Sequence, residues 1–184
     1  MIPAELPENE ADRLSILRGY GILDTPPEER FDRLVRLVSE QLGVPIALVS
    51  LVDAHRQWFK AAVGLDAKET PRELAFCAHA IHSDETLVIE NALMDERFSD
   101  NPLVASDPDI RFYAGSPLVT SSGHRVGTLC AIDRQPRTLT ASEETLLRTL
   151  AAVVVDEMEL TAIGQALEES AKQLENRNTV LDAF

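Results

Sequence analysis

The chain has little that could brace it covalently or tie it to a charged or lipid surface. Only two cysteines, Cys77 and Cys130, occur in 184 residues. That count excludes a disulfide framework as the foundation of the fold and leaves each thiol to be either a core residue or a reactive group. Lys and Arg number 17 against 31 Asp and Glu, and no basic run appears. A phosphate-binding surface needs clustered cations, so DNA and RNA are excluded as direct partners. No apolar stretch has membrane-spanning length, and the amino terminus, MIPAELPENEADRL, is too acidic and polar for a signal sequence. A cytoplasmic location is expected. Internal repeats and low-complexity tracts are lacking too.

What the chain does have is a ladder. Leu146, Val153, Leu160, Leu167, Leu174 and Leu181 stand seven residues apart, with no proline among the residues they span. Such spacing predicts a long helix with a heptad seam and a homodimer formed through it. The positions four residues on, Leu150, Glu157, Gly164, Ala171 and Asn178, are weaker, and those three on include Ile163 and Phe184. Pairing through this seam is therefore expected to be marginal and adjustable. Up to Leu160 the helix could equally pack on its own domain. Beyond it, Glu168, Glu169, Lys172, Gln173, Glu175, Asn176 and Arg177 leave only the leucine stripe to bury.

The length fits one domain with an appended helix, 1–160 and 161–184. Asn9 is read as the cap of a helix over 9–19. Thr25-Pro26-Pro27-Glu28 is read as a capping box opening a second helix over 26–42, which ends at Gly43 with Pro45 just beyond. The apolar run Val44 to Val52 turns at Asp53-Ala54-His55 into Gln57 to Lys60, a hairpin expected in the centre of a sheet. Thr70-Pro71 is taken to start a short helix through Ile81, and Leu87-Val88-Ile89 a brief strand. The stretch 91–110 reads as a long loop of the functional kind. Strands over 112–119 and 126–133 follow, and the box Thr140-Ala141-Ser142-Glu143 opens the long helix. The fold class is α+β: a central antiparallel sheet with helices on one face and a loop-covered pocket on the other.

Seven segments in order carry a resemblance: Ile22-Leu23-Asp24-Thr25, the run 45–53, Arg56-Gln57-Trp58-Phe59-Lys60, Phe76-Cys77-Ala78-His79-Ala80-Ile81, the run 100–104, Arg111 to Leu118, and Gly127 to Asp133. Together they resemble the GAF domain over about residues 5 to 160, and more narrowly the subgroup at the amino terminus of bacterial sensor histidine kinases and diguanylate cyclases. The resemblance implies a non-catalytic sensory piece, excised from a longer protein. It would sense a small ligand or redox state and pass the signal through its carboxyl helix to an output module, expected to be a histidine kinase. Two alternatives stay open: a redox enzyme like the free methionine-(R)-sulfoxide reductases, which are GAF enzymes with cysteines in the pocket, and a ligand-free dimerisation module.

Pocket candidates are Cys77, His79, Arg97, Phe98, Asn101, Arg111, Tyr113, Thr128 and Cys130. Arg97 and Arg111 could each grip a carboxylate or phosphate with two prongs, and Tyr113 could stack on a ligand. Alternatively the two arginines tie the long loop to Asp95, Asp100 or Asp107. Cys77 and Cys130 could be a redox pair. Strand alternation, which sets Val126, Thr128, Cys130 and Ile132 on one face, also allows Cys130 to be a small buried hydrophobe. The identity of any cofactor stays open, but three are not expected. Cys77 and His79 with one distant cysteine lack the paired four-ligand pattern of structural zinc. Bilin-binding GAF domains attach the pigment through a Cys followed directly by His, and Ala78 intervenes here. Haem would require His55, His79 or His82, and a lone His is more often a hydrogen-bonded structural residue.

Overall fold

Strands buried on both faces need an apolar residue at almost every position, and the run Ile46–Val52 has one everywhere but Ser50. In the computed structural model, which describes residues 1–181 with side chains through Arg177, this run is strand β1. Around it lie β2 (Arg56–Val63), β3 (Glu69–Pro71), β4 (Leu87–Ile89), β5 (Phe112–Val119) and β6 (Arg125–Asp133). They form one antiparallel six-stranded sheet in the order β3-β2-β1-β6-β5-β4. The β1–β2 hairpin thus contributes one central strand and one next to the edge, and β6 is the other central strand.

Alternation along the strands feeds two separate cores. Ala47, Val49 and Leu51 of β1, Phe112 and Ala114 of β5, and Leu129 and Ala131 of β6 face back. There they meet α2 (Glu29–Leu42) through Phe31, Val35 and Val38, and α5 (Ala141–Leu181) through Leu147, Val154 and Met158. Ile46, Leu48, Phe59, Tyr113, Cys130 and Ile132 face front, under α3 (Phe76–Ala80) and the segment carrying Phe98 and Val104. Trp58 joins the back core and Phe59 the front one. Val126 packs at the back, so the expected face shared by four β6 residues is made by Thr128, Cys130 and Ile132 without it.

Helix starts diverge from the sequence reading in an instructive way. The Thr140 box forms as expected: the Glu143 N–H donates to Thr140 Oγ1 at 3.2 Å and the Thr140 N–H to the Glu143 carboxylate at 2.8 Å. The Thr25 box does not, and α2 begins at Glu29 instead of 26. Thr25 Oγ1 instead donates to the Ile22 carbonyl (2.5 Å) and accepts from Lys60 Nζ (2.8 Å). Lys60 is the extra residue of a β2 bulge, where Val49 pairs with Ala61 but Ser50 pairs with Phe59. Its buried ammonium holds the α1–α2 connection through Thr25, the Pro26 carbonyl (2.8 Å) and Glu28 (2.6 Å). Asn9 flanks α1 (Glu10–Gly19) without a side-chain capping bond. Gly43 ends α2 with φ of 62°, the left-handed stop that glycine supplies without steric cost. Thr70 and Pro71 belong to edge strand β3 and not to a helix start, because they pair with Gln57 and Arg56 of β2. The expected long loop 91–110 contains a short helix α4 (Pro102–Ala105) and a 3-10 turn over 92–94, each capped by an Asn side chain.

The domain face of α5 is Leu147, Leu150, Ala151, Val154, Val155 and Met158, one helical stripe. Leu146 and Val153 sit at its margin, partly buried against the same core. Past them the heptad ladder emerges into solvent: Leu160, Leu167 and Leu174 are 65%, 66% and 58% exposed, with Ile163 beside them at 57%. Leu181 lies in the helix, but its side chain, that of Asn178, and Phe184 are outside the described residues. No helix among the described residues is long and apolar enough to cross a membrane.

One ionic hub fastens α1 to the sheet. The Glu10 carboxylate accepts from Arg13 (2.8 and 2.9 Å) and from Arg72. Arg13, wholly buried, donates onward to the Val52 carbonyl (2.7 Å), and Arg72 to that of Asp53 (3.0 Å). Burial opposes ionisation of Glu10, but the hydrogen bonds and charges of Arg13 and Arg72 outweigh it and hold its pKa down from 4.5 to about 2. Its carboxylate therefore contributes stability that is complete above pH 4.5 and is lost as the pH falls toward 2. Glu10→Gln is expected to lower unfolding free energy at pH 7 by about 3 kcal/mol. Urea titrations at pH 7 and below pH 4 should show the gap between variant and wild type narrowing in acid.

Candidate functional site

The front face of the sheet brings together residues far apart in sequence around one sulfur. Cys77 is placed by α3, which lies across β5, β6 and β1. Thr128, one alternation step before Cys130 on β6, donates its hydroxyl to Cys77 Sγ at 3.0 Å, and Tyr113 of β5 donates its own at 3.3 Å. Tyr113 reaches there because Gly115 has no side chain: a Cβ at Gly115 would fall 2.0 Å from Tyr113 Oη. Gly115 is also the cross-strand partner of Cys130. Cys130 packs with Cys77 in the same front core, and Ser50, the cross-strand partner of Thr128, donates its hydroxyl to Gln57 Oε1 at 3.2 Å.

Both thiols are interior, Cys77 at 2% exposure and Cys130 at 0%. Their titrations are pushed apart. Burial raises Cys77, yet hydrogen bonds from Cys130, Ser50, Thr128 and Tyr113 outweigh it, so Cys77 ionises below an ordinary thiol. Cys130 is raised well above one, first because it serves Cys77 as a hydrogen-bond donor and then by burial. Burial, with the two neighbouring thiols, also pushes the Tyr113 phenol up. Two thiols and the hydroxyls of Tyr113 and Thr128 thus share one apolar enclosure.

The enclosure is filled by the chain's own rings. Phe76 and Phe98 stack with centroids 4.0 Å apart, Tyr113 tilts against Phe76 at 5.2 Å, and His79 meets the Phe98 ring edge-on at 4.9 Å. An extended amino-terminal segment crosses over it. His79 Nε2 contacts the Ile2 carbonyl (3.1 Å), His82 Nε2 that of Glu5 (2.9 Å), and the Ile2 N–H donates to the Arg97 carbonyl (3.0 Å). Burial and then the Arg97 charge lower the His79 pKa, which favours a neutral ring there.

Of the candidates, Cys77, Tyr113, Thr128 and Cys130 converge directly, and His79 and Phe98 roof them. Arg97, Arg111 and Asn101 are engaged elsewhere. Arg97 forks onto Asp95 (2.6 and 2.9 Å). Arg111 binds the carbonyls of Val104 (2.8 Å) and Ile110 (3.1 Å), with Asp109, and neither Asp100 nor Asp107, at 3.8 Å. Asn101 is buried, giving its amide to the Leu74 carbonyl (3.0 Å) and capping α4 through the Leu103 N–H (2.9 Å). Loop-tying is the arrangement of both arginines. Ser50 and Phe76 were missed as site residues; Ser50 carried a signal, being the sole polar residue of β1. Among the described residues no group of three His, Cys, Asp or Glu side chains is placed to hold a metal.

Open clefts lie away from the thiols. One of about 300 Å³ separates the α1–α2 connection from α5, lined by Ile22, Thr25, Glu28, Phe31, Met158 and Gln165 among others. Another of about 570 Å³ runs beneath the amino-terminal segment beside Ile81, His82 and Arg125.

Comparison with known proteins agrees with this architecture. The family profile of the GAF domain matches residues 26–157. A cyclic di-GMP phosphodiesterase of Pseudomonas aeruginosa is 44% identical over 131 residues, 71% of this chain and 22% of that protein. The chain therefore spans less than a quarter of that relative. The GAF domain of a phosphoenolpyruvate-protein phosphotransferase from Coxiella burnetii superposes with a TM-score of 0.64 at 18% identity, covering 86% of this chain and 99% of that one. Free methionine-R-sulfoxide reductase from Neisseria meningitidis, solved with its substrate, gives 0.59 at 17% identity, covering 90% and 98%. At such identities the two structures speak to fold alone. The sheet order, the roofed front face and the match across 26–157 lead to one assignment: the chain belongs to the GAF domain family.

Proposed function

We propose that this GAF domain is a sensory and regulatory unit of the subgroup that precedes histidine kinases and diguanylate cyclases. A small ligand or redox event at the front face is its stimulus, and α5 passes the change to an attached output module. The observation that carries the reading is the placement of α5. It packs on the back of β5 and β6, whose front bears Tyr113, Thr128 and Cys130, then continues as a solvent-exposed leucine ladder. In this reading residues 1–160 sense and 161–184 transmit, and catalysis belongs to the output module alone. The Pseudomonas relative supports a cyclic di-GMP phosphodiesterase as one output, with a histidine kinase the other. Exposed Leu160, Ile163, Leu167 and Leu174 support a homodimer through the helix. A second reading, a ligand-free dimerisation module, is favoured by the ring-filled front core.

Two outcomes are expected. Inserting one residue between Leu160 and Leu167 in the full-length protein turns the downstream seam by about 100°. Basal phosphodiesterase or kinase activity should then change between about twofold and thirtyfold, while a full-heptad insertion leaves it near wild type; output indifferent to both would remove the lever. Separately, Leu160→Lys with Leu167→Lys should convert a dimer to a monomer by light scattering without altering near-ultraviolet circular dichroism. An unchanged mass would move the dimer contact elsewhere.

A further inference from the structure

We propose that Cys77 and Cys130 are an oxidisable dithiol that a small hydroperoxide converts into an internal disulfide, drawing α3 onto β6. Two half-buried thiols on a surface would carry no such assignment; these two are buried in one core on the front of the sheet. The rest of the geometry locates them independently. Cys77 Sγ touches Thr128 Oγ1 at 3.0 Å, and Thr128 is the same-face neighbour of Cys130. It also touches Tyr113 Oη at 3.3 Å, which lies over Gly115, the residue paired across the sheet with Cys130. Cys77 is thus bracketed from both sides of Cys130.

The chemical roles follow from the donors. Tyr113, Thr128 and Cys130 stabilise negative charge on Cys77, which makes it the attacking sulfur, while Cys130 keeps its proton. The Cys77 thiolate attacks the distal oxygen of the hydroperoxide. An S–O bond forms, the O–O bond breaks, and the alcohol or water leaves after taking a proton. The Cys130 sulfur then displaces hydroxide from the Cys77 sulfenic acid, and its proton leaves with that hydroxide as water. Two thiols are oxidised and one peroxide is reduced. The sulfurs must close to about 2.05 Å, and α3 can move onto the sheet more easily than a central strand can leave it. The reverse side of β6, at Leu129 and Ala131, packs in the core that α5 shares. The dithiol chemistry stands by itself; its use as the stimulus rests on the sensory reading above.

The experiment exposes the full chain to hydrogen peroxide without denaturant, quenches in acid, and alkylates with N-ethylmaleimide in guanidinium. Wild type is expected to lose about 2 Da and take up no maleimide, to yield a cross-linked peptide containing both cysteines, and to recover both thiols with dithiothreitol. In Cys130→Ser, Cys77 should instead gain about 16 Da and be trapped by dimedone. Two maleimides on peroxide-treated wild type, or a cross-link between Cys77 of two copies, would overturn the proposal even if the variant does not fold. A nitroxide at Gln173 reads the second question separately: a disulfide that leaves α5 unmoved keeps the dithiol and removes its role as stimulus.

Discussion

The sheet of this protein is buried on both faces, and the period-2 alternation of β1, and of β6 from Thr128 on, sends successive side chains to opposite sides, where two separate cores form. That constraint governs the rest. A one-residue slip would send Leu48, Cys130 and Ile132 to the back and Val49, Leu129 and Ala131 to the front, so the register is strongly fixed. It also makes the sheet a diaphragm. Between Cys77 and the domain face of α5 lie strands whose opposite faces belong to different cores. A packed core transmits displacement because its atoms have no free volume into which to yield.

The helical layer is fastened to this diaphragm by a few buried ions. In a chain of net charge -14, cations are scarce, and several are spent inward. Arg13 and Arg72 share Glu10 and reach the carbonyls at the end of β1, and Lys60 grips the α1–α2 connection from a bulge in β2. Each of these charges is buried with a carboxylate and with carbonyl or hydroxyl acceptors, the condition under which interior ions are tolerated. The links sit at opposite ends of α1 and so fix its placement against the sheet.

Helix α5 has two characters along one continuous run. Its first part presents Leu147, Val154 and Met158 to the back core, a stripe offset by one position from the heptad ladder of Leu146 and Val153. The ladder is thus left at the margin while the helix lies on the domain, and is fully displayed once the domain ends. A helix can belong to its own domain and still offer a seam because the 3.6-residue period leaves a second face free.

Local chemistry was legible. Gly43 stops α2, Thr140 and Glu143 box α5, and the strand pattern gives the sheet, since each of these depends on neighbours within a few residues. The Thr25 box was equally well formed on paper and does not exist, because Lys60, 35 residues away, claims the threonine hydroxyl. Arg97 and Arg111 could be ligand clamps or ties of the long loop by sequence; the turn geometry of 91–110 turns them onto Asp95 and onto backbone carbonyls. Sequence alone determined the types of the long elements, the family and the candidate set containing Cys77, Tyr113, Thr128 and Cys130, because residue type and period suffice for these. Which of the candidates share one enclosure was decided only by tertiary structure. A contact across 51 residues, such as Thr128 to Cys77, depends on how α3 is laid over the strands, and no local pattern encodes that.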